Sequence, residues 1–102
     1  QKVVIDAASS VEVTGQQGIT IKASAQAITI QADAGNVELT AQGNVNVQAQ
    51  ANATVESTGP LTLKSSTQVK LEAPLIDVTA QTKATVDGGA ICEIKGGLVN
   101  IG

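Results

Sequence analysis

The chain has 102 residues, a formal net charge of −3 and no Phe, Tyr, Trp, Met or His. That length leaves room for one domain and no second conventional core. The charge pattern offers no Lys/Arg stripe for nucleic acid, no apolar run reaches membrane-span length, and no secretory signal opens the chain. Lacking His removes the commonest general base and a favoured metal ligand. An interior without rings is expected to be narrow, since aromatics normally fill the core of a domain this size. The single cysteine, Cys92, excludes an intrachain disulfide and leaves the redox compartment open.

An internal repeat runs through the whole sequence. Apolar residues come in pairs separated by one residue. The first members are Val3, Val11, Ile19, Ile28, Val37, Val45, Ala53, Leu61, Val69, Ile76, Ala84, Cys92 and Val99. The second members are Ile5, Val13, Ile21, Ile30, Leu39, Val47, Val55, Leu63, Leu71, Val78, Val86, Ile94 and Ile101. Successive pairs are 8, 8, 9, 9, 8, 8, 8, 8, 7, 8, 8 and 7 residues apart, an octad with four slips. Val and Ile hold 19 of the 26 paired positions, and the residue inside each pair is polar or charged except at Val4. Period-two alternation of branched residues predicts short strands. Low aromatic content also accompanies disorder, but apolar residues placed this strictly argue against disorder in an assembled protein.

Taken in order, residues 1–24 keep the octad, and residues 25–44 carry one extra residue in each of two repeats. Asp33-Ala34-Gly35-Asn36 reads as a longer turn. Residues 45–72 are the most regular stretch, with Gly59-Pro60 between predicted strands. Pro74 lies where the repeat shortens to seven, and glycine becomes dense at Gly88-Gly89, Gly96-Gly97 and Gly102. Two residues after each of the first twelve pairs stands Ala7, Gly15, Ala23, Ala32, Ala41, Ala49, Ser57, Ser65, Ala73, Ala80, Gly88 or Gly96. A small residue at every such position predicts a corner where backbones approach closely. The chain starts in mid-rhythm without an initiator Met, as expected of a fragment of a longer protein.

One octad has too little apolar surface to be stable alone, so it needs neighbours above and across. A single chain coiled three octads (24 residues) per turn satisfies this, as do three chains wound about one axis. The almost purely aliphatic inner face favours the second. The expected fold is therefore all-β, an intertwined trimeric (triple-stranded) β-helix prism built from octad repeats. At about 4.8 Å per octad, the expected rod is about 60 Å long. Its trimer core would comprise Val45, Val47, Val55, Leu61, Leu63, Val69, Leu71, Ile76, Val78, Cys92 and Ile94. Folding and assembly would then be one event.

The octads, the phrase Leu71-Glu72-Ala73-Pro74-Leu75-Ile76-Asp77-Val78 and the ending Cys92-Glu93-Ile94-Lys95-Gly96-Gly97-Leu98-Val99-Asn100-Ile101 resemble the C-terminal needle of VgrG, the valine-glycine repeat family of bacterial type VI secretion spikes. The likeness spans residues 1–102, with 88–102 as the tip-proximal end. It implies a homotrimeric, membrane-piercing needle of a contractile injection device. Its C-terminal end would seat a PAAR-repeat tip protein or an effector carrying that domain. By position the seat comprises Gly96, Gly97, Leu98, Val99, Asn100, Ile101 and Gly102. The resemblance further implies engagement of the secretion tube and sheath through a preceding N-terminal part, and transient contact with a target membrane. The needle would reside in the bacterial cytoplasm before firing and in the target cell or medium afterwards. The octad is shared with phage central spikes, so a phage-type spike or a trimeric fibre shaft is the alternative. No His-X-His stands near the end, so the axial metal site of some phage spikes is not expected.

Other residues carry no chemistry on their own. Cys92 fills an inward slot as a small hydrophobe, without the His or second Cys of a metal site. Asp33 with Glu38, and Asp6 with Glu12, pair carboxylates as glycosidases do. Glu12 and Glu38 fill outward slots between paired residues, which are solvated on a rod, so no water-excluding pocket is expected. The glycine pairs lack the strand–loop–helix setting of a phosphate loop. No catalytic residue, cofactor or metal is expected. The acidic balance reads as solubility.

Overall fold

The computed structural model describes residues 1–102. They form two units, Gln1–Ala53 and Thr54–Gly102. Each is a series of short extended segments separated by bends. In the first unit the bends fall at 8–9, 16–17, 24–26, 33–35, 42–43 and 50–51. In the second they fall at 58–59, 66–67, 74, 81–82 and 97–98, with a turn at 89–90.

These positions follow the sequence rhythm residue by residue. Every bend begins one position after one of the twelve small residues, from Ala7 before 8–9 to Gly96 before 97–98. The irregular repeats differ in the bends. The nine-residue steps, Ile19 to Ile28 and Ile28 to Val37, contain the three-residue bends 24–26 and 33–35. The seven-residue step from Val69 to Ile76 contains the single-residue bend at Pro74. The last step, Cys92 to Val99, keeps its two-residue bend and loses the spacer that elsewhere precedes the next pair.

The close approach inferred at the corners is visible where glycine stands. A Cβ on Gly15 would lie 2.9 Å from Ile19 Cγ1, and one on Gly96 would lie 3.6 Å from Val99 Cγ2. The first residue of a pair thus leans toward the corner preceding it, and the second stands free. Val45 and Val47 are 51 % and 82 % exposed, and Ile76 and Val78 are 50 % and 79 % exposed. The same asymmetry holds at Val11 and Val13, Ile19 and Ile21, and Leu61 and Leu63.

The predicted strands do not form. The chain contains no strand and no helix, and its one backbone–backbone hydrogen bond runs from Ile91 N–H to the Gly88 carbonyl at 3.3 Å. The expected all-β, intertwined trimeric β-helix prism, and with it the triple-stranded β-helix description, is therefore corrected. The reason is that alternation and Cβ branching set only an extended backbone. A strand also requires a neighbour about 4.8 Å away whose N–H and C=O groups face its own. Within either unit no Cα comes within 8 Å of one twelve or more positions away. A coil of three octads per turn would bring residues 24 apart to about 4.8 Å, so the single-chain solenoid is excluded as well. No residue is buried.

The corner at 87–91 is the most tightly closed. Gly89 N–H donates to Asp87 Oδ1 at 2.9 Å, Ile91 N–H closes on Gly88 O, and Gly89 takes φ +66°. A side chain on Gly88 would collide with the Ile91 carbonyl oxygen. In dilute solution the Gly89 and Ile91 amides should exchange about fivefold more slowly than their neighbours, the scale of one exposed hydrogen bond worth about 1 kcal/mol. Gly88→Ala should abolish the Ile91 protection. Hydrogen exchange read by NMR checks both.

Candidate tip and inter-copy surface

The seat residues Gly96 to Gly102 form one continuous run at the end of the second unit. The bend at 97–98 redirects the chain immediately before Val99. Leu98 and Ile101 are 80 % and 92 % exposed, against 48 % for Val99. Leu98 takes the place of a spacer within the bend, and Ile101 is the second, free-standing member of the last pair. The run therefore ends in two aliphatic side chains open to contact, flanked by Gly97 and Gly102, which offer backbone alone. One repeat earlier, Lys95 Nζ pairs with Glu93 Oε1 at 2.9 Å.

The residues assigned to the trimer core lie in successive octads. Val45 and Val47 belong to the first unit, and Val55, Leu61, Leu63, Val69, Leu71, Ile76, Val78, Cys92 and Ile94 to the second. The fold does not gather them: each is exposed, and within each unit those twelve or more positions apart stay beyond 8 Å. What unites them is their place in the repeat. Cys92 is a free, exposed thiol. It is the first member of its pair, immediately after the Gly88–Ile91 turn, at a slot held elsewhere by Val, Ile, Leu or Ala.

Several corners are tied by short polar contacts. Ser65 Oγ accepts from Thr67 N–H and Gln68 N–H, both at 3.2 Å. Ser57 Oγ donates to the Pro60 carbonyl at 3.3 Å, and Gln31 Nε2 donates to Asp33 Oδ1 at 2.8 Å. These hydroxyl and carboxylate bonds stand in for backbone bonds at bends, a habit of Ser and Asp. The sequence reading assigned Ser57 and Ser65 only smallness. Their hydrogen-bonding role was visible in their position immediately before a bend. Lys70 Nζ and Glu72 Oε2 lie 3.8 Å apart on the polar side of one extended segment. The carboxylates Asp33 and Glu38, and Asp6 and Glu12, are exposed, and no cavity or cluster of metal-ligating side chains is present.

The chain matches no known protein family, no curated protein and no solved structure.

The exposed thiol provides a direct probe of the apolar pairs. In dilute solution the exposed Cys92 thiol should react readily with a small disulfide reagent, since access limits that reaction. At high concentration the rate should fall at least tenfold if copies cover their pairs. A concentration-independent rate would show that the pairs remain open.

Proposed function

We propose that this chain is a segment of the needle of a type VI secretion spike, working as a homotrimer and seating a PAAR-repeat tip at Gly96–Gly102. Its work is mechanical: a contractile sheath drives it, and it carries the tip, or an effector bearing the tip domain, across a target envelope. It waits in the bacterial cytoplasm and ends in the target cell or the medium. It catalyses no reaction and holds no cofactor.

The observation that carries this reading is the uninterrupted cadence of the chain. Thirteen apolar pairs and twelve corners occupy its length, and the nine- and seven-residue steps alter only the bends and spacers between them. A body of equal segments suits the transmission of force along its length, whereas catalysis calls for a concave site. The VgrG-like phrases at 71–78 and 92–101 add the tip and the secretion setting. A single copy buries none of its pairs, while each Val, Leu or Ile covered by another copy contributes about 1.5–3 kcal/mol. Association therefore supplies the interior that the chain lacks, against an ordering cost of about 1–2 kcal/mol per residue.

Light scattering after size exclusion should give three times 10.2 kDa, and a persistent 10.2 kDa species would refute the trimer. A PAAR-repeat protein should be retained by the immobilised trimer at one tip per three chains. Leu98→Asp or Ile101→Asp should weaken that capture at least tenfold, the worth of about 1.4 kcal/mol from one lost aliphatic contact. Capture unchanged by both substitutions would place the seat elsewhere.

A further inference from the structure

The octad that makes copies of this chain complementary also makes them ambiguous. The pairs at Val45, Ala53, Leu61 and Val69 are spaced by eight without exception. Two copies lying side by side in the same direction could slip by eight residues there and still face apolar pair with apolar pair. Register is weakly specified wherever a pattern repeats in this way. We propose that the off-octad bends act as register marks between copies, an inference that rests on the homotrimer proposed above.

The occupant is a second copy of this chain. One copy exposes 11740 Å² in all, with every apolar pair exposed, whereas a stable association needs about 800 Å² per partner. Aligned copies also bring like charges to one level, an arrangement that repels. At two levels each copy carries its own neutralising partner, through Lys70–Glu72 and Glu93–Lys95.

The marks distinguish aligned copies from slipped ones. In alignment, each bend faces a bend of its own length. After a slip of one octad, the two-residue bend 16–17 faces the three-residue bend 24–26, and 33–35 faces 42–43. The single-residue bend at Pro74 faces 66–67 on one neighbour and 81–82 on another. Each mismatch displaces the next extended segment by one residue, which turns its apolar pair to the opposite side, because side chains alternate with period two. The long bends mark the N-terminal part, and Pro74 and the missing spacer before Val99 mark the C-terminal part. The regular stretch between them depends on both.

Oxidative cross-linking tests this with the one natural thiol. Copies bearing Cys92 are mixed with copies carrying Cys92→Ala and Ala84→Cys, which move the thiol back one octad to the same slot. In the natural chain, cross-links between the two thiol positions should form at less than about a tenth of the Cys92–Cys92 yield, equivalent to about 1.4 kcal/mol against slipping. In a levelled chain, Ala25 and Ala34 are deleted, and one Ser is inserted after Pro74 and one after Leu98. There the two yields should come within about twofold, because slipped and aligned copies become equivalent.

A second variant keeps the length and composition: Ala25 is deleted and one Ala is inserted into the 42–43 bend. Mixed with natural copies, it should sort from them, with mixed Cys92–Cys92 cross-links below the statistical yield. Trimers that stay aligned after levelling, natural trimers that already slip, or free mixing of the second variant with natural chains would each overturn the register marks and leave the homotrimer standing. A natural chain that remains at 10.2 kDa and forms no cross-links would overturn both.

Discussion

The constraint on which everything else depends is the destination of the peptide N–H and C=O groups. Each residue carries such groups, and stable interiors form only where they are paired. In this chain, one backbone–backbone bond, between Ile91 and Gly88, is all the pairing that the main chain makes with itself. The extended segments are too short to fold back on themselves, and the bends lead onward without bringing one segment beside another within its unit. Water therefore holds the backbone, and the apolar pairs have no interior to enter. Hydrophobic patterning and burial are separable here: the first is written in every octad, and the second is absent at every residue.

Local geometry was more legible in the sequence than tertiary structure. The twelve small residues marked all twelve corners, because a corner is a local event decided by what fits beside the next Val or Ile. The slips in spacing likewise foretold the three-residue bends at 24–26 and 33–35 and the contraction at Pro74. The strands were misread because alternation specifies the shape of a segment and says nothing of its partner. Val45-Asn46-Val47 is extended as expected, yet it has nothing to pair with in its own unit. The step from extended segment to β-helix required contacts between residues far apart in sequence, and none of the residues within either unit supplies them.

At the candidate tip, the order of residues was readable and their exposure was not. Composition alone does not distinguish Leu98 and Ile101 from Val99. The bend at 97–98 does, by holding Val99 close to the corner at Gly96. Ser65 adds a hydrogen-bonding role that its place before a bend signals. Its hydroxyl takes two backbone N–H groups at a bend, where Ala49 at the equivalent place offers no such bond.

The openness of the extended segments bears on the fate of a copy without companions. An extended run with free N–H and C=O groups is the form in which many clefts take hold of peptides, by adding them as a strand to their own edge. Each unit offers several such runs. A solitary copy thus presents its backbone to any such cleft, whereas the homotrimer proposed above would withhold it.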